Sequence, residues 1–232
     1  MLCTRGFFHA HNPAERYTAP MPDTQQKLIV FNHPLIEHKM CALRNKDTGH
    51  RPFRGTLSQI AGLMVYEVTR TFRTRPVDIE TPIMKTTGQR IEDPITIVPV
   101  LRAGLGMIDG ILHIMPEARV GHLGLARDEE TLEPVVYLNK LPKDLNAGPV
   151  ILVDPMLATG GSASAAITIL REAGAEDIRM ICLVAAPEGV GRLHRDHPEI
   201  TIYAATLDER LNEKGYILPG LGDAGDRMYG TV

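Results

Sequence analysis

The stretch that decides the fold is VILVDPMLATGGSASA, which runs from Val150 to Ala165. Four branched apolar residues lead directly into Asp154, and Pro155 follows, which has no N–H group to continue the hydrogen bonds of a strand. Ala158 to Ser162 are all small, and a helical pattern begins at Ser162. The stretch therefore predicts a buried strand, a tight glycine-containing loop and a helix in immediate succession.

The same alternation extends to both sides of this stretch. The pattern predicts strands at 95–101, 119–125, 133–141, 149–153, 178–186 and 200–206, and helices at 56–72, 104–115, 162–174 and 187–197. Thr56 is the predicted N-cap of the first helix, and the helix at 162–174 has serines in front and Gly174 behind. Short apolar strands that alternate with helices are typical of right-handed βαβ units. We therefore expect an α/β fold with a mostly parallel, twisted sheet flanked by helices.

Two segments depart from this alternation. Residues 77–91 alternate weakly around a glycine and predict a hairpin or arm. The segment KGYILPGLGDAGDRMYG, 214–230, has five glycines and no period, which predicts a shaped loop.

Length and composition favour one domain, at 27–232, preceded by a disordered tail at 1–26. An organelle transit peptide is the alternative for the tail. A formal net charge of −3 with interspersed signs argues against bulk nucleic-acid binding. Three distant cysteines form no disulfide framework or CxxC metal site, and no apolar run approaches the ~20 residues of a membrane span. We expect a cytoplasmic protein that binds neither nucleic acid nor membrane.

Asp154 to Ser162 has the chemistry of a phosphate site. In a parallel sheet, ligands bind beyond the carboxyl ends of the strands, which is where Asp154 lies. Glycines let backbone N–H groups approach a ligand, and the helix that follows directs its unpaired N–H groups to the same place. The hydroxyl groups of Thr159 and Ser162 add further donors.

Three other interpretations of this loop compete with a sugar-phosphate site. The loop lacks the lysine of a Walker A motif, which disfavours a P-loop ATPase. The nearest match to GxGxxG is GLGMIDG, where Asp109 replaces the last glycine, so a dinucleotide site is a weak alternative. The third is a tight turn without a ligand. A carboxylate directly before a phosphate-binding loop favours ribose 5-phosphate, because the acid accepts hydrogen bonds from the sugar hydroxyls.

VDPMLATGGSA, 153–163, resembles the phosphoribosyl pyrophosphate (PRPP) loop of type I phosphoribosyltransferases. Its Asp-Pro pair resembles the uracil phosphoribosyltransferase branch of that family. Three further stretches carry the resemblance, which covers the chain from about Asn32 to the C-terminus: VPVLRAGLGM (98–107), EETLEPV (129–135) and GYILPGLGDAGDR (215–227). It implies the type I phosphoribosyltransferase fold, with a β-arm and a C-terminal hood loop.

The resemblance also implies roles for individual residues. The residues that correspond to PRPP contacts are Arg102, Arg127, Asp154, Pro155, Met156, Leu157, Ala158, Thr159, Gly160, Gly161, Ser162 and Asp223. Those that correspond to the uracil site are Ile217, Gly222, Asp223 and Ala224. Main-chain groups of a glycine-rich loop can bind the carbonyl and N–H groups of uracil without a side chain. Arg102 and Asp223 are the candidate catalytic residues, and Asp223 is the nearest candidate for a general base.

The implied reaction joins uracil to PRPP and gives UMP and pyrophosphate. Mg²⁺ is expected to arrive with PRPP, without a metal site built from protein side chains. Members of the family are dimers or tetramers and some are activated by GTP, so the resemblance implies a homo-oligomer, with the arm exchanged between subunits, and a candidate activator. An RNA-binding regulator of pyrimidine genes and a purine or orotate transferase are the alternatives. The Asp-Pro pair and the net charge count against the first, and the hood loop counts against the second.

Overall fold

The structure is a computed structural model that describes residues 27–127 and 134–231. Its helices are α1 (Pro34–Arg44), α2 (His50–Val68), α3 (Leu105–Ile114), α4 (Gly161–Glu172), α5 (Pro187–Asp196) and α6 (Ala224–Tyr229). Its strands are β1 (Leu28–Val30), β2 (Thr74–Glu80), β3 (Lys85–Ile91), β4 (Thr96–Leu101), β5 (Arg119–Val120), β6 (His122–Arg127), β7 (Pro134–Lys140), β8 (Val150–Val153), β9 (Met156–Leu157), β10 (Ile178–Ala185), β11 (Thr201–Leu207), β12 (Arg210–Leu211) and β13 (Ile217–Leu218).

Within the described residues, nine strands form one sheet in the order β1-β11-β10-β8-β4-β6-β7, with β5 paired to β4 and β9 paired to β10. All of these pairs are parallel except β6 with β7. The predicted α/β class with a mostly parallel sheet is confirmed. Because β4, β8 and β10 are parallel neighbours, their carboxyl ends meet at one edge of the sheet.

The core lies on both faces of this sheet. Ile97 and Ile151 pack with α1, α2 and α3 on one face, whereas Val98 and Leu152 pack with α4 and α5 on the other. All four residues of β8 are buried. Helices on both faces explain why these strands are continuously apolar and do not alternate with polar residues. No helix in the described ranges is both long and apolar enough to cross a bilayer.

Two predicted helix starts were wrong. α2 begins at His50 with Gly49 as its N-cap, so Thr56 lies inside the helix. Pro52 is tolerated in the first turn of α2 because N–H groups there have no intrahelical partner, so the missing N–H group of proline costs no hydrogen bond. α4 is not capped by serine: its N-cap is Gly160, with φ +78°, and Ser162 lies in its first turn. Gly174 has φ +96° just beyond the helix, as the prediction of a C-terminal glycine requires.

Several elements were not predicted, and others were confirmed. β1 and α1 were not predicted. The predicted hood loop, 214–230, contains β13 and α6, and β12 lies just before it. The arm is a hairpin of β2 and β3 with seven residue pairs, and it starts at Thr74 rather than at 77. The predicted tail, 1–26, lies outside the described residues.

Candidate functional site

Asp154 follows the carboxyl end of β8 at the predicted position. Its N–H donates to Ile181 O at 3.1 Å, and its Oδ1 accepts from Met156 N at 3.2 Å. Burial of the carboxyl raises the pKa of Asp154 to about 7; the Met156 N–H opposes this shift, and the charge of Asp223 adds to it. Asp154 is therefore balanced between its neutral and charged forms near neutral pH.

The loop after Asp154 is fixed to its neighbours by backbone contacts. Pro155 O accepts from Leu183 N and Val184 N, both at 3.0 Å, and β9 then pairs with the end of β10. A Cβ on Gly160 would lie 2.8 Å from Gly189 O, and a Cβ on Gly189 would lie 2.4 Å from Ala158 O. The loop and α5 thus pack main chain against main chain, which only glycine allows at these two positions.

α4 supplies the anion-binding end of the site. Gly160 takes the left-handed conformation, so α4 starts directly behind the loop and presents its unpaired N–H groups there. Thr159 is half-buried and Ser162 is exposed in the first turn. The arrangement can bind a phosphate without a lysine.

Arg102 reaches the same edge from β4. A Cβ on Gly104 would lie 2.5 Å from Val153 O, so the segment after β4 lies directly against the end of β8. The guanidinium is more than half exposed and pairs with Asp226 Oδ1 at 3.4 Å. It also lies 5.9 Å from the ring centre of Tyr229, and the Leu101–Arg102 peptide bond is cis.

The hood loop closes the opposite side of the site. Asp223 is the N-cap of α6, and its Oδ1 accepts from Asp226 N at 2.9 Å. A Cβ on Gly225 would lie 3.2 Å from Asp223 Oδ1 and 4.0 Å from Arg102 Nη2. Arg102 and Asp223, which are far apart in sequence, therefore both approach Gly225.

The residues predicted to bind the base lie together beside this contact. Ile217 and Ala224 are buried, whereas Gly222 is exposed and has φ +80°. A Cβ on Gly215 would lie 3.7 Å from Thr159 Cγ2, so the hood loop also approaches the loop before α4.

One predicted site residue cannot be placed fully. The backbone of Arg127 pairs with Pro134 at the open end of β6 and β7. Its side chain, together with most of the EETLEPV motif, lies outside the described residues.

Sequence reasoning missed four residues that shape the site. Asp226 and Tyr229 hold Arg102, Gly189 lies against the loop, and Arg192 Nη1 would be 3.3 Å from a Cβ on Gly161. Gly189 and Gly191 break the pattern of α5, which was the one available signal for a close backbone approach. The three side-chain contacts depend on α5 and α6 packing, which no local pattern encodes.

A separate apolar groove of about 650 Å³ lies among α1, α2 and α3. Its lining includes Leu35, Leu63, Tyr66 and Ile114, and it contains none of the predicted site residues. The lining is mostly apolar, with Lys39 and Asp109 as its charged residues, which suits a sugar phosphate less well than the loop and donors at the sheet edge.

The model of the uracil phosphoribosyltransferase family matches residues 30–231. The chain belongs to the uracil phosphoribosyltransferase family. A uracil phosphoribosyltransferase of Acholeplasma laidlawii is 56% identical over 205 residues, which cover 88% of this chain and 99% of the relative. One from Staphylococcus aureus is 56% identical over 206 residues, with the same coverage. A solved structure of an Aquifex aeolicus protein superposes with a TM-score of 0.84 at 38% identity, and covers 88% of this chain and 98% of its own.

Membership in the uracil phosphoribosyltransferase family makes the chain a pentosyltransferase. The family assignment agrees with the motifs quoted from the sequence, and the matched range takes in all the candidate site residues.

Proposed function

We propose that this chain transfers the 5-phosphoribosyl group of PRPP to N1 of uracil, giving UMP and pyrophosphate in pyrimidine salvage. The observation that carries the proposal is the convergence of Asp154, the loop that ends at Gly160, Arg102 and the hood loop at one edge of the sheet. The chain shares 56% of its aligned residues with relatives named for this activity, which supports the same substrates.

PRPP takes the side of the site formed by β8 and α4. The 5-phosphate lies on the loop and accepts hydrogen bonds from backbone N–H groups and from Thr159 and Ser162. Asp154 in its charged form accepts from the ribose hydroxyls. Arg102 binds the pyrophosphate, because a guanidinium matches a pair of phosphate oxygens. Arg127 is proposed as the second arginine for PRPP.

The remaining loop residues complete the PRPP site by shape. Met156 and Leu157 hold the loop to β10, and Gly161 starts α4. Pro155 and Ala158 are assigned to the same surface.

Uracil takes the side formed by the hood loop. Main-chain groups of Ile217 and of Gly222, Asp223 and Ala224 bind its carbonyl and N–H groups. Asp223 is assigned to both substrates, since its carboxylate and the Arg102 guanidinium both approach Gly225 and its charge raises the pKa of Asp154.

The reaction is a displacement at C1′ of the ribose. N1 of uracil forms a bond to C1′, the bond from C1′ to the pyrophosphate oxygen breaks, and N1 loses its proton. Charge on the ribose ring resembles that of an oxocarbenium ion, as in glycoside cleavage. Arg102 stabilises the departing pyrophosphate, and Asp223 is the nearest candidate to take the proton. The protein contributes mainly position and charge.

The site fits Mg²⁺ that arrives with PRPP. The carboxylates of Asp154 and Asp223 are hard oxygen ligands, the charge of Asp223 raises the pKa of Asp154, and magnesium is usually held by one or two carboxylates plus substrate phosphates. When bound, the ion neutralises charge on the pyrophosphate.

The chain is further proposed to be a cytoplasmic homodimer or homotetramer whose single domain spans 27–232. The β2–β3 arm supports this proposal, since Ile83 and Met84 at its tip are 92% and 64% exposed. Apolar side chains at this exposure are favourable in a contact between subunits. GTP is the candidate activator.

The experiment is turnover of labelled uracil with PRPP and Mg²⁺, with and without GTP. Cytosine, orotate, hypoxanthine and guanine are assayed in parallel. UMP formed from uracil alone is the expected result. No product from any base by folded protein that still binds PRPP would overturn the proposal.

A further inference from the structure

Arg44, the last residue of α1, makes a double contact with Asp208. Its Nη2 lies 2.6 Å from Oδ1 of the acid and its Nη1 lies 2.8 Å from Oδ2, which is the bidentate geometry of an arginine–carboxylate pair. The side chain of Asp208 is 3% exposed. These residues are 164 positions apart, so the contact joins the start of the chain to the segment after β11.

Both members of this pair also bind Gly220 in the hood loop. Arg44 Nη1 donates to Gly220 O at 2.8 Å, and Asp208 Oδ2 accepts from Gly220 N at 2.8 Å. Both hydrogen-bonding groups of one peptide residue are thus held by a single ion pair. We call Arg44, Asp208 and Gly220 the clasp.

The charges of Arg44 and Asp208 stabilise each other within the clasp. Burial alone raises the pKa of Asp208, but the hydrogen bond and charge of Arg44 and the Gly220 N–H outweigh it, so the pKa lies below its usual value. The hydrogen bond with Asp208 correspondingly raises the pKa of Arg44. The pair therefore stays charged, and loss of either partner would leave the other charge with too few partners.

A second arginine closes the same contact from the C-terminal side. Arg227 of α6 donates to Leu221 O at 2.8 Å and to Asn45 O at 2.6 Å, and it also donates to Leu43 O. Carbonyls at the end of a helix need partners from outside the helix. The end of α1 is thereby tied to the residue that follows Gly220.

Gly220 lies between the two groups of candidate base-binding residues. Ile217 precedes it and Gly222–Ala224 follow it, and a Cβ on Gly220 would lie 2.2 Å from Ile217 O. The hood loop therefore turns back on itself at Gly220, and its main-chain groups can bind a base only if this turn is held in one place.

We propose that Arg44 and Asp208 are positioning residues for the base site: through Gly220 they set the main-chain geometry that recognises uracil. The inference rests on the proposed function for the identity of the base. It means that α1, which lies outside every motif of the site, controls the affinity for the base. The β8 side of the site controls the affinity for PRPP.

The test is steady-state kinetics of Arg44→Lys. Lysine keeps the charge, but a single ammonium group cannot bind both carboxylate oxygens and Gly220 O in the same geometry. We expect KM for uracil to rise about tenfold and KM for PRPP to change less than about twofold, because the loss of one charged hydrogen bond in the clasp displaces the main chain that binds the base. Asp208→Asn, which keeps an oxygen for Gly220 N, is the second variant should Arg44→Lys fail to fold.

The matched control is Arg179→Met. Arg179 also has a mostly buried side chain, donates to the end of a helix at Val68 O (2.6 Å) and pairs with Asp177, but it lies at the amino end of β10. Its loss should lower the melting temperature and leave both KM values unchanged. A merely structural role of the clasp would make Arg44→Lys behave in the same way.

Amide hydrogen exchange of residues 217–223 provides a readout independent of activity. We expect about tenfold faster exchange there in Arg44→Lys, and no change there in Arg179→Met. Equal changes in both KM values, or unchanged KM for uracil in an active enzyme, would overturn the positioning role. If the wild type makes no UMP, the proposed function fails, and unchanged exchange at 217–223 would then reject the clasp separately.

Discussion

At the scale of single residues, Asp154 combines a cost to stability with a use in binding. Its pKa of about 7 in the folded chain lies above the value of about 3.9 for an unfolded carboxyl. A carboxyl with a raised pKa adds stability below its unfolded pKa, and that stability is lost as pH rises through the folded value.

We therefore predict that Asp154→Asn is more stable than the wild type at pH 8. Each pKa unit is worth about 1.4 kcal/mol, and solvent at the open side of the carboxyl screens part of this, so the gain should be on the order of 2 kcal/mol. Denaturant unfolding at pH 8 and pH 4 measures it. The difference in stability should vanish at pH 4. An equal gain in stability at both pH values would mean that it has a cause other than the charge of Asp154.

The same residue predicts the pH dependence of catalysis. In the proposed site Asp154 accepts from the ribose hydroxyls when charged, so kcat/KM for PRPP should rise with pH between about 6 and 8 as the carboxyl loses its proton. Rate measurements over this range test it. PRPP itself also titrates, so Asp154→Asn serves as the reference. This variant should be slow, and its profile of kcat/KM against pH should lack the inflection caused by Asp154.

Gly160 gives a second prediction at this scale. Valine there must adopt φ +78° and place its Cβ 2.8 Å from Gly189 O. We expect a loss of about 1–3 kcal/mol in stability and a fall on the order of 100-fold in kcat/KM for PRPP, because the loop moves away from the phosphate.

Gly191→Val is the matched control for Gly160→Val. Gly191 lies on α5, and a Cβ on it would have no neighbour within 4 Å. Near-normal turnover by folded Gly160→Val protein would reject the loop as the PRPP site.

At the scale of elements, the arm is the least integrated part of the described chain. Most residues of β2 and β3 are exposed, and each strand pairs with the other rather than with the main sheet. A two-stranded hairpin is marginal by itself in water, which favours the proposed contact between the arm and another subunit.

We predict that the double substitution Ile83→Ser with Met84→Ser shifts the oligomer toward monomer. Losing two exposed apolar side chains from a subunit contact should weaken association by about 2–4 kcal/mol per arm. Sedimentation velocity measures the shift, and Ile83→Leu is the conservative control. An unchanged sedimentation coefficient at low protein concentration would exclude the arm tip from the interface.

The elements also show which local signals can be read from sequence. The start of α5 at Pro187 and the end of α4 before Gly174 were predicted because proline and glycine act through their own backbone geometry. The start of α4 was not, since the loop and α5 decide it through the close approach at Gly189. α6 was missed because it is only six residues long and lies in a glycine-rich segment, where the Asp223 cap and buried Met228 stabilise it.

At the scale of the whole molecule, the class of the sheet was predictable and its contacts were not. Buried strands alternating with helices specify a parallel sheet, and the end of each strand then locates Asp154 and Arg102 at one edge. The partner of Arg102 comes from near the C-terminus, at Asp226, and the partner of Asp208 in the clasp comes from α1, at Arg44. Such pairs join segments with no shared local pattern, so the sequence indicated the chemistry of the site but not what holds it.

The pairing of β1 with β11 has a consequence for how the protein is made. β1 is among the first described segments to leave the ribosome, yet its register partners, Leu28 with Ile202 and Val30 with Ala204, are synthesised near the end. The edge of β1 that pairs with β11 must therefore stay open through most of translation, and long-range closure of this kind slows folding. A nascent chain that stops before β11 keeps a free strand edge open to aggregation, so chaperone demand should fall sharply once the last forty or so residues emerge.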